Sequence, residues 1–156
     1  MSNKIKCIWI GKLKKKYWQV AVDEYLKKIS GFFAIGTMTL KDGPSELSPP
    51  KIREAEQKAI LKSLQPRDYV IALDSRGTQY TSPQFAQCLQ SWLQDPGRDP
   101  CFVLGGPYGL SEAVKKQSRL LLSFGLPTLP HELARVLLLE QIYRAGAILW
   151  KHPYHH

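Results

Sequence analysis

The chain has 156 residues, enough for one domain with a substantial core. Its 44% hydrophobic and 22% charged content excludes a disordered or fibrous class, and no run of eighteen apolar residues points to a membrane span. The formal net charge of +9, with eight lysines against Asp23 and Glu24 in residues 1–30, favours an anionic partner: nucleic acid, an anionic membrane surface, or only solvent around a basic enzyme.

The start, MSNKIKCIWIGKLKKKYW, lacks the apolar stretch and small-residue cleavage site of a signal peptide. Within it IKCIWIG (5–11) predicts a first strand. Residues 17–29 place Trp18, Val22, Tyr25, Leu26 and Ile29 at helical spacing, and FFAIGTMTL (32–40) predicts a second strand. A loop over 41–50 ends in prolines. The amphipathic segment 51–64 follows, with Ile52, Ala55, Ala59 and Ile60 on one side. YVIALD (69–74) reads as a strand buried on both faces. Ser82 is the expected cap of a helix over 82–94, with Pro83 at its first position. PCFVLGG (100–106) predicts a strand, Ser111 caps a short helix, and LLLSFGL (120–126) returns to strand. His131 to Leu149 forms the last helix. Alternating strands and helices predict an α/β fold, a mainly parallel sheet with helices on both faces, in a single domain over 1–156.

Leu133, Val136, Leu137, Leu138, Leu139, Ile142, Tyr143 and Ala147 surround most of the last helix. A helix apolar all round must be covered on more than one side. The sheet covers one, and a second copy of the chain is expected to cover the other, giving a homodimer.

Three strand ends change abruptly into Gly, Pro, Ser and Thr: ALDSRG (72–77), LGGPYGLS (104–111) and LSFGLPTLPH (122–131). Ligands of open parallel sheets bind beyond carboxyl strand ends, so the three loops predict a pocket. The glycine loop is not a phosphate cradle. Leu110 and Ser111 stand where a Walker loop needs lysine and hydroxyl, and GGPYG does not fit the dinucleotide fingerprint. It suits backbone contact with a flat, uncharged group such as adenine, with a ligand-free turn as the alternative.

Cys7, Cys88 and Cys101 are far apart, odd in number and without metal-ligand spacing, as expected of reduced thiols in a cytoplasmic protein. All four histidines fall after residue 130, in HPYHH and at His131. No cysteine lies near them and the tail histidines lack helical spacing, so no metal is expected. Imidazoles titrate near neutrality and serve as proton carriers or phosphate donors. Glu140 and Arg144 stand four apart, as a helical ion pair does. Arg135 precedes them and is either a clamp at the pocket mouth or part of a salt bridge.

The ordered set LGGPYGLS, TLPHELARVLLLEQIYRA and HPYHH, with LDSRG and the basic start, resembles the RlmH family of SPOUT methyltransferases across nearly the whole chain. The resemblance implies a SPOUT-type fold with a C-terminal trefoil knot and a homodimer. It implies S-adenosylmethionine as cofactor and N3 methylation of a pseudouridine in 23S rRNA on the assembled ribosome. It implies cofactor contacts from Leu73, from Gly105 and Gly106, and from Phe124, Gly125, Leu126, Pro127, Thr128, Leu129 and Pro130. This chain departs from the family's serine-rich run there, because Gly125 lacks a hydroxyl and Pro127 stiffens the loop. Candidate catalytic residues are His131, Arg135, Arg144, Tyr154 and His155, acting on the imide proton or on developing negative charge. A non-catalytic ribosome-binding factor and a flavodoxin-like small-molecule enzyme are the competing readings. The basic run 12–18 is the expected RNA contact, with Tyr17 or Trp18 able to stack on a base.

Overall fold

The computed structural model describes residues 4–156, so the first three residues of the start lie outside the described range. Its elements are β1 (Lys4–Ile10), α1 (Lys16–Ile29), β2 (Ala34–Leu40), α2 (Pro49–Ser63) and β3 (Asp68–Gln79), then α3 (Ser82–Gln94), β4 (Asp99–Leu104), α4 (Glu112–Gln117), β5 (Leu120–Ser123) and α5 (His131–Leu149). The strands form one sheet in the order β2-β1-β4-β3-β5, and every pairing is parallel.

Each crossover toward the β2 edge, through α1 or α3, uses one face of the sheet. Each crossover toward the β5 edge, through α2 or α4, uses the other. Uniform handedness of parallel crossovers requires this division. It splits the core in two. Ile5, Cys7 and Trp9 of β1 pack with α1, α3 and α5, whereas Ile8 and Ile10 pack with α2 and α4. Central β1 and β4 are therefore apolar on both faces, and edge strand β2 is largely exposed.

Local chemistry sets the boundaries. Thr81, not Ser82, caps α3: its hydroxyl accepts from the Gln84 N–H at 3.2 Å while the Gln84 side chain accepts from the Thr81 N–H at 2.9 Å. Pro83 then stands at the second helical position. The Ser111 hydroxyl caps α4 by accepting from the Val114 N–H at 3.3 Å.

β3 runs longer than its apolar core. Leu73 and Thr78 both pair with Leu122, so residues 74–77 bulge out of the sheet and the strand resumes beyond them. Gly77 makes this fit, since a Cβ there would lie 2.5 Å from the Leu121 carbonyl. The bulge carries DSRG over the sheet's carboxyl rim, where β4, β3 and β5 end side by side.

Candidate active site

A cavity of about 630 Å³ opens at that rim, a size within the range of small-molecule sites. The three loops foreseen from the sequence wall it: Leu73 to Arg76, Leu104 to Ser111, and the segment from Phe124 to Leu129. A fourth wall comes from α2, through Pro50, Arg53, Glu54 and Gln57.

The glycine loop is closed on itself. Gly106 and Gly109 form a short antiparallel bridge, with the Gly109 N–H donating to the Gly106 carbonyl at 3.0 Å. Gly109 has a φ of +77°, and a Cβ on Gly105 would lie 2.6 Å from the Gly109 carbonyl carbon, so both positions need glycine. On the third loop Gly125 has a φ of +128°. Buried Ser123 fixes this turn. Its hydroxyl donates to the Ser75 carbonyl at 2.9 Å and accepts from the Gly125 N–H at 3.0 Å, tying the β3 bulge to the β5 loop.

Charge gathers at one side of the opening. The Lys115 ammonium sits 2.7 Å from the Asp74 carboxylate, with Arg76 3.6 Å from the other oxygen and its N–H donating at 2.9 Å. Burial works against the Asp74 charge. Lys115, the Arg76 N–H and the Arg76 guanidinium together outweigh it and hold the carboxyl below its usual range.

Of the residues singled out in the sequence, Leu73, Gly105, Gly106, Phe124, Gly125, Pro127, Thr128, Leu129 and His131 line the cavity. Leu126 turns outward and is 78% exposed, and Pro130 is the residue from which α5 starts. The His131 imidazole, at the first turn of α5, is held below its ordinary pKa by burial foremost. Arg135 and Lys14 add to that effect, against Glu132 and Asp42.

Arg135 does not reach the mouth. It is buried, donates to the carbonyls of Ile10 and Gly11 at 3.0 Å each, and lies over the Trp9 ring. Burial pulls its guanidinium down to about 10, which leaves it charged at neutral pH. Its place on the stripe with Leu138, Leu139 and Ile142 was the signal that it faces inward.

Arg144, Tyr154 and His155 are not at the cavity either. They form a separate cluster at the other end of α5. Arg144 Nε donates to Glu140 at 2.9 Å, the Tyr154 hydroxyl donates to the same carboxylate at 3.2 Å, and an Arg144 N–H lies 3.2 Å from His155 Nδ1. A guanidinium only donates, so Nδ1 accepts and His155 carries its proton on Nε2. Tyr154 packs on Tyr143, and its hydroxyl is pushed up to about 12 by burial and then by Glu140 and Tyr25, which makes it a donor rather than a base. His131 and Arg144 stand thirteen residues apart on one straight helix, about 20 Å at 1.5 Å per residue.

The cavity walls suit S-adenosylmethionine. Leu73, Leu104 and Leu129 offer an apolar bed for a flat base, the glycine turns bring backbone close, and Arg53, Arg76, Glu54 and Glu112 match the two charges of an amino-acid group. Among the described residues no cluster of His, Cys, Asp or Glu is arranged to hold a metal, and no helix is long and apolar enough to cross a membrane.

Known proteins share this sequence and architecture. In sequence the chain is 44% identical over 154 residues, 99% of each chain, to the "Ribosomal RNA large subunit methyltransferase H" of Maridesulfovibrio salexigens. It is 41% identical over 155 residues, again 99% of each, to the protein of that name from Lawsonia intracellularis. A probable methyltransferase from Bordetella pertussis superposes with a TM-score of 0.58 at 15% identity, covering 93% of this chain and 95% of that one, and shares the fold. A probable methylase family protein from Haemophilus influenzae does so with a TM-score of 0.53 at 13% identity, covering 99% and 71%. The family model described as "Predicted SPOUT methyltransferase" matches residues 3–155. With its glycine turn, bulged β3 and parallel sheet, this chain belongs to the SPOUT methyltransferase family.

Proposed function

We propose that the protein methylates the N3 position of a pseudouridine in 23S rRNA on the assembled cytoplasmic ribosome, with S-adenosylmethionine as methyl donor. The observation that carries this reading is the cavity at the ends of β3, β4 and β5 with His131 at its rim, in a chain so similar over its full length to rRNA large subunit methyltransferases. The trefoil knot implied by the family resemblance belongs to the same reading.

The donor, when bound, supplies an electrophilic methyl group on a sulfonium. The chain's task is to hold the acceptor nitrogen in line with it, and orientation of this kind supplies on the order of 7–11 kcal/mol of barrier reduction. Leu73 and the segment 124–130 fix the donor's pose, and the glycine turn provides backbone contacts. The imide proton must leave the acceptor, and neutral His131 is placed to take it. Arg144, in contact with His155 and held by Glu140, offers positive charge to the base or a phosphate.

One chain cannot bring these groups together, because α5 holds them at opposite ends. A homodimer can. Leu133, Val136 and Leu137 remain half-buried on α5, and Tyr17 and Val20 on neighbouring α1 are exposed at 62% and 57%, an apolar face for a second copy. The partner's tail then covers the cavity, and the lysines of 12–16 beside the α5 start, where the Lys14 N–H donates to Glu132, grip RNA.

The test is transfer of labelled methyl from S-adenosylmethionine to ribosomes lacking the modification, with mass mapping of the rRNA. Methylation at a single pseudouridine is expected; absence of any transfer overturns the reading. Mixing a His131→Asn chain with a chain truncated after Lys151 tests the shared site, since mixed dimers regain activity only if the tail acts across the interface.

A further inference from the structure

Two charged residues, Arg135 and Glu56, are buried backbone and side chain together among the described residues. Arg135 has its carbonyl partners. Glu56 has half of what it needs. It lies on α2 one turn from both Ile52 and Ile60, on the stripe that packs against the sheet, and is 3% exposed. Its Oε2 accepts from the Gly43 N–H at 3.1 Å, while Oε1 has no hydrogen-bond partner. Burial pushes this carboxyl up, the Gly43 N–H opposes that, and Asp42 adds to it.

The carboxyl is pressed against the glycine turn. A Cβ on Gly106 would lie 3.2 Å from Oε1 and 3.3 Å from Oε2, closer than side chains ordinarily pack. Gly106 lines the cavity and Glu56 does not, so the turn lies between the carboxyl and the ligand space. Gly43 in turn sits on the loop that leads from β2 into α2, the helix whose Arg53, Glu54 and Gln57 form the fourth wall. The Arg53 guanidinium approaches the Tyr108 carbonyl at the tip of the same turn, 3.5 Å away. Glu56 is thus the side chain through which α2, its entering loop and the glycine turn meet.

We propose that Glu56 is a positioning residue for the methyl-donor pocket: held by Gly43, its carboxyl supports Gly106 from beneath and sets the height of the glycine turn against the α2 wall. This inference rests on the reading of the cavity as the donor site. Both the filled space and the accepting oxygen matter. Glu56→Gln keeps both, Glu56→Met keeps the space alone, and Glu56→Ala keeps neither.

The experiment is calorimetric titration of the full chain with S-adenosylmethionine, followed by steady-state methylation of ribosomes. Glu56→Ala and Glu56→Met should raise the donor Kd and KM about tenfold, the size of one lost buried hydrogen bond. The KM for ribosomes and kcat at saturating donor should stay close to the parent's. Glu56→Gln should recover most of the donor affinity. If Glu56→Ala fails to fold by circular dichroism, Glu56→Met and Glu56→Gln decide the matter. Parent-like donor affinity in a folded Ala or Met variant overturns the inference alone, as does equal loss in all three variants or a fall in kcat without a change in KM. A parent chain that binds no donor overturns the cavity's assignment and this inference with it.

Discussion

The Arg135 guanidinium lies 4.6 Å from the centre of the Trp9 ring and donates to the carbonyls of Ile10, the last residue of β1, and of Gly11, which follows it. It closes the strand's carboxyl end against α5, next to the turn that presents His131. Arg135→Met leaves two carbonyls and the ring face without their cation. A loss of about 3 kcal/mol is expected, read in thermal unfolding as a drop of roughly 6–12 °C for a chain of this size. Residual activity at low temperature should survive in the folded fraction, since Arg135 touches no ligand space.

His131 carries a depressed pKa in the folded chain, with burial as the first cause. The unfolded chain therefore binds a proton more readily. The imidazole's contribution to stability is complete above its ordinary value of about 6.5 and is lost as pH falls through the lower folded value. Because the neutral ring is the competent base, the acid limb of the methylation rate should also lie below about 6.5. Rate profiles from pH 5 to 8 check this. His131→Asn should remove that limb and slow turnover about a hundredfold.

Gly105 and Gly77 are close approaches with different consequences. Gly105→Ala drives a methyl into the Gly109 carbonyl carbon and opens the turn, so donor binding should fall below detection while the sheet stays folded. Gly77→Ala drives it into the Leu121 carbonyl between two strands, and should cost about 1–3 kcal/mol of stability as well as donor affinity. Calorimetry and chemical unfolding on the same samples separate the two.

The basic loop before α1 should act through phosphate. Replacing Lys14, Lys15 and Lys16 with alanine should lower the slope of log affinity against log salt for ribosome binding by about two. Donor affinity measured without ribosomes should not change, since none of the three lines the cavity.

Much of this was legible in the chain. The apolar strands and their glycine and proline ends marked the carboxyl rim, and both α3 (82–94) and α5 (131–149) lie at the boundaries that periodicity predicts. Periodicity reports which face a residue occupies but not what it meets there. Arg135 and Glu56 both sit on apolar stripes, at helical spacing from Leu138 and Leu139 and from Ile52 and Ile60. Read as charges they suggest solvent or ligand; read by position they belong inside. The β3 bulge was hidden for another reason. Residues 74–77 resemble a strand end, and only the return of Thr78 to Leu122 shows that pairing resumes. The fourth cavity wall from α2 depends on the crossover placing that helix at the rim, which no local pattern encodes.

The unbroken course of α5 from cavity rim to chain tail makes it a gauge. Each residue of an α-helix adds about 1.5 Å and turns the next side chain by about 100°. A single inserted or deleted residue between His131 and Arg144 would swing Arg144, Tyr154 and His155 to a different bearing while leaving the pocket intact. Spacing along this segment should therefore matter to activity as much as the identity of its side chains, whereas a change of length in the exposed stretch 44–48 should be tolerated.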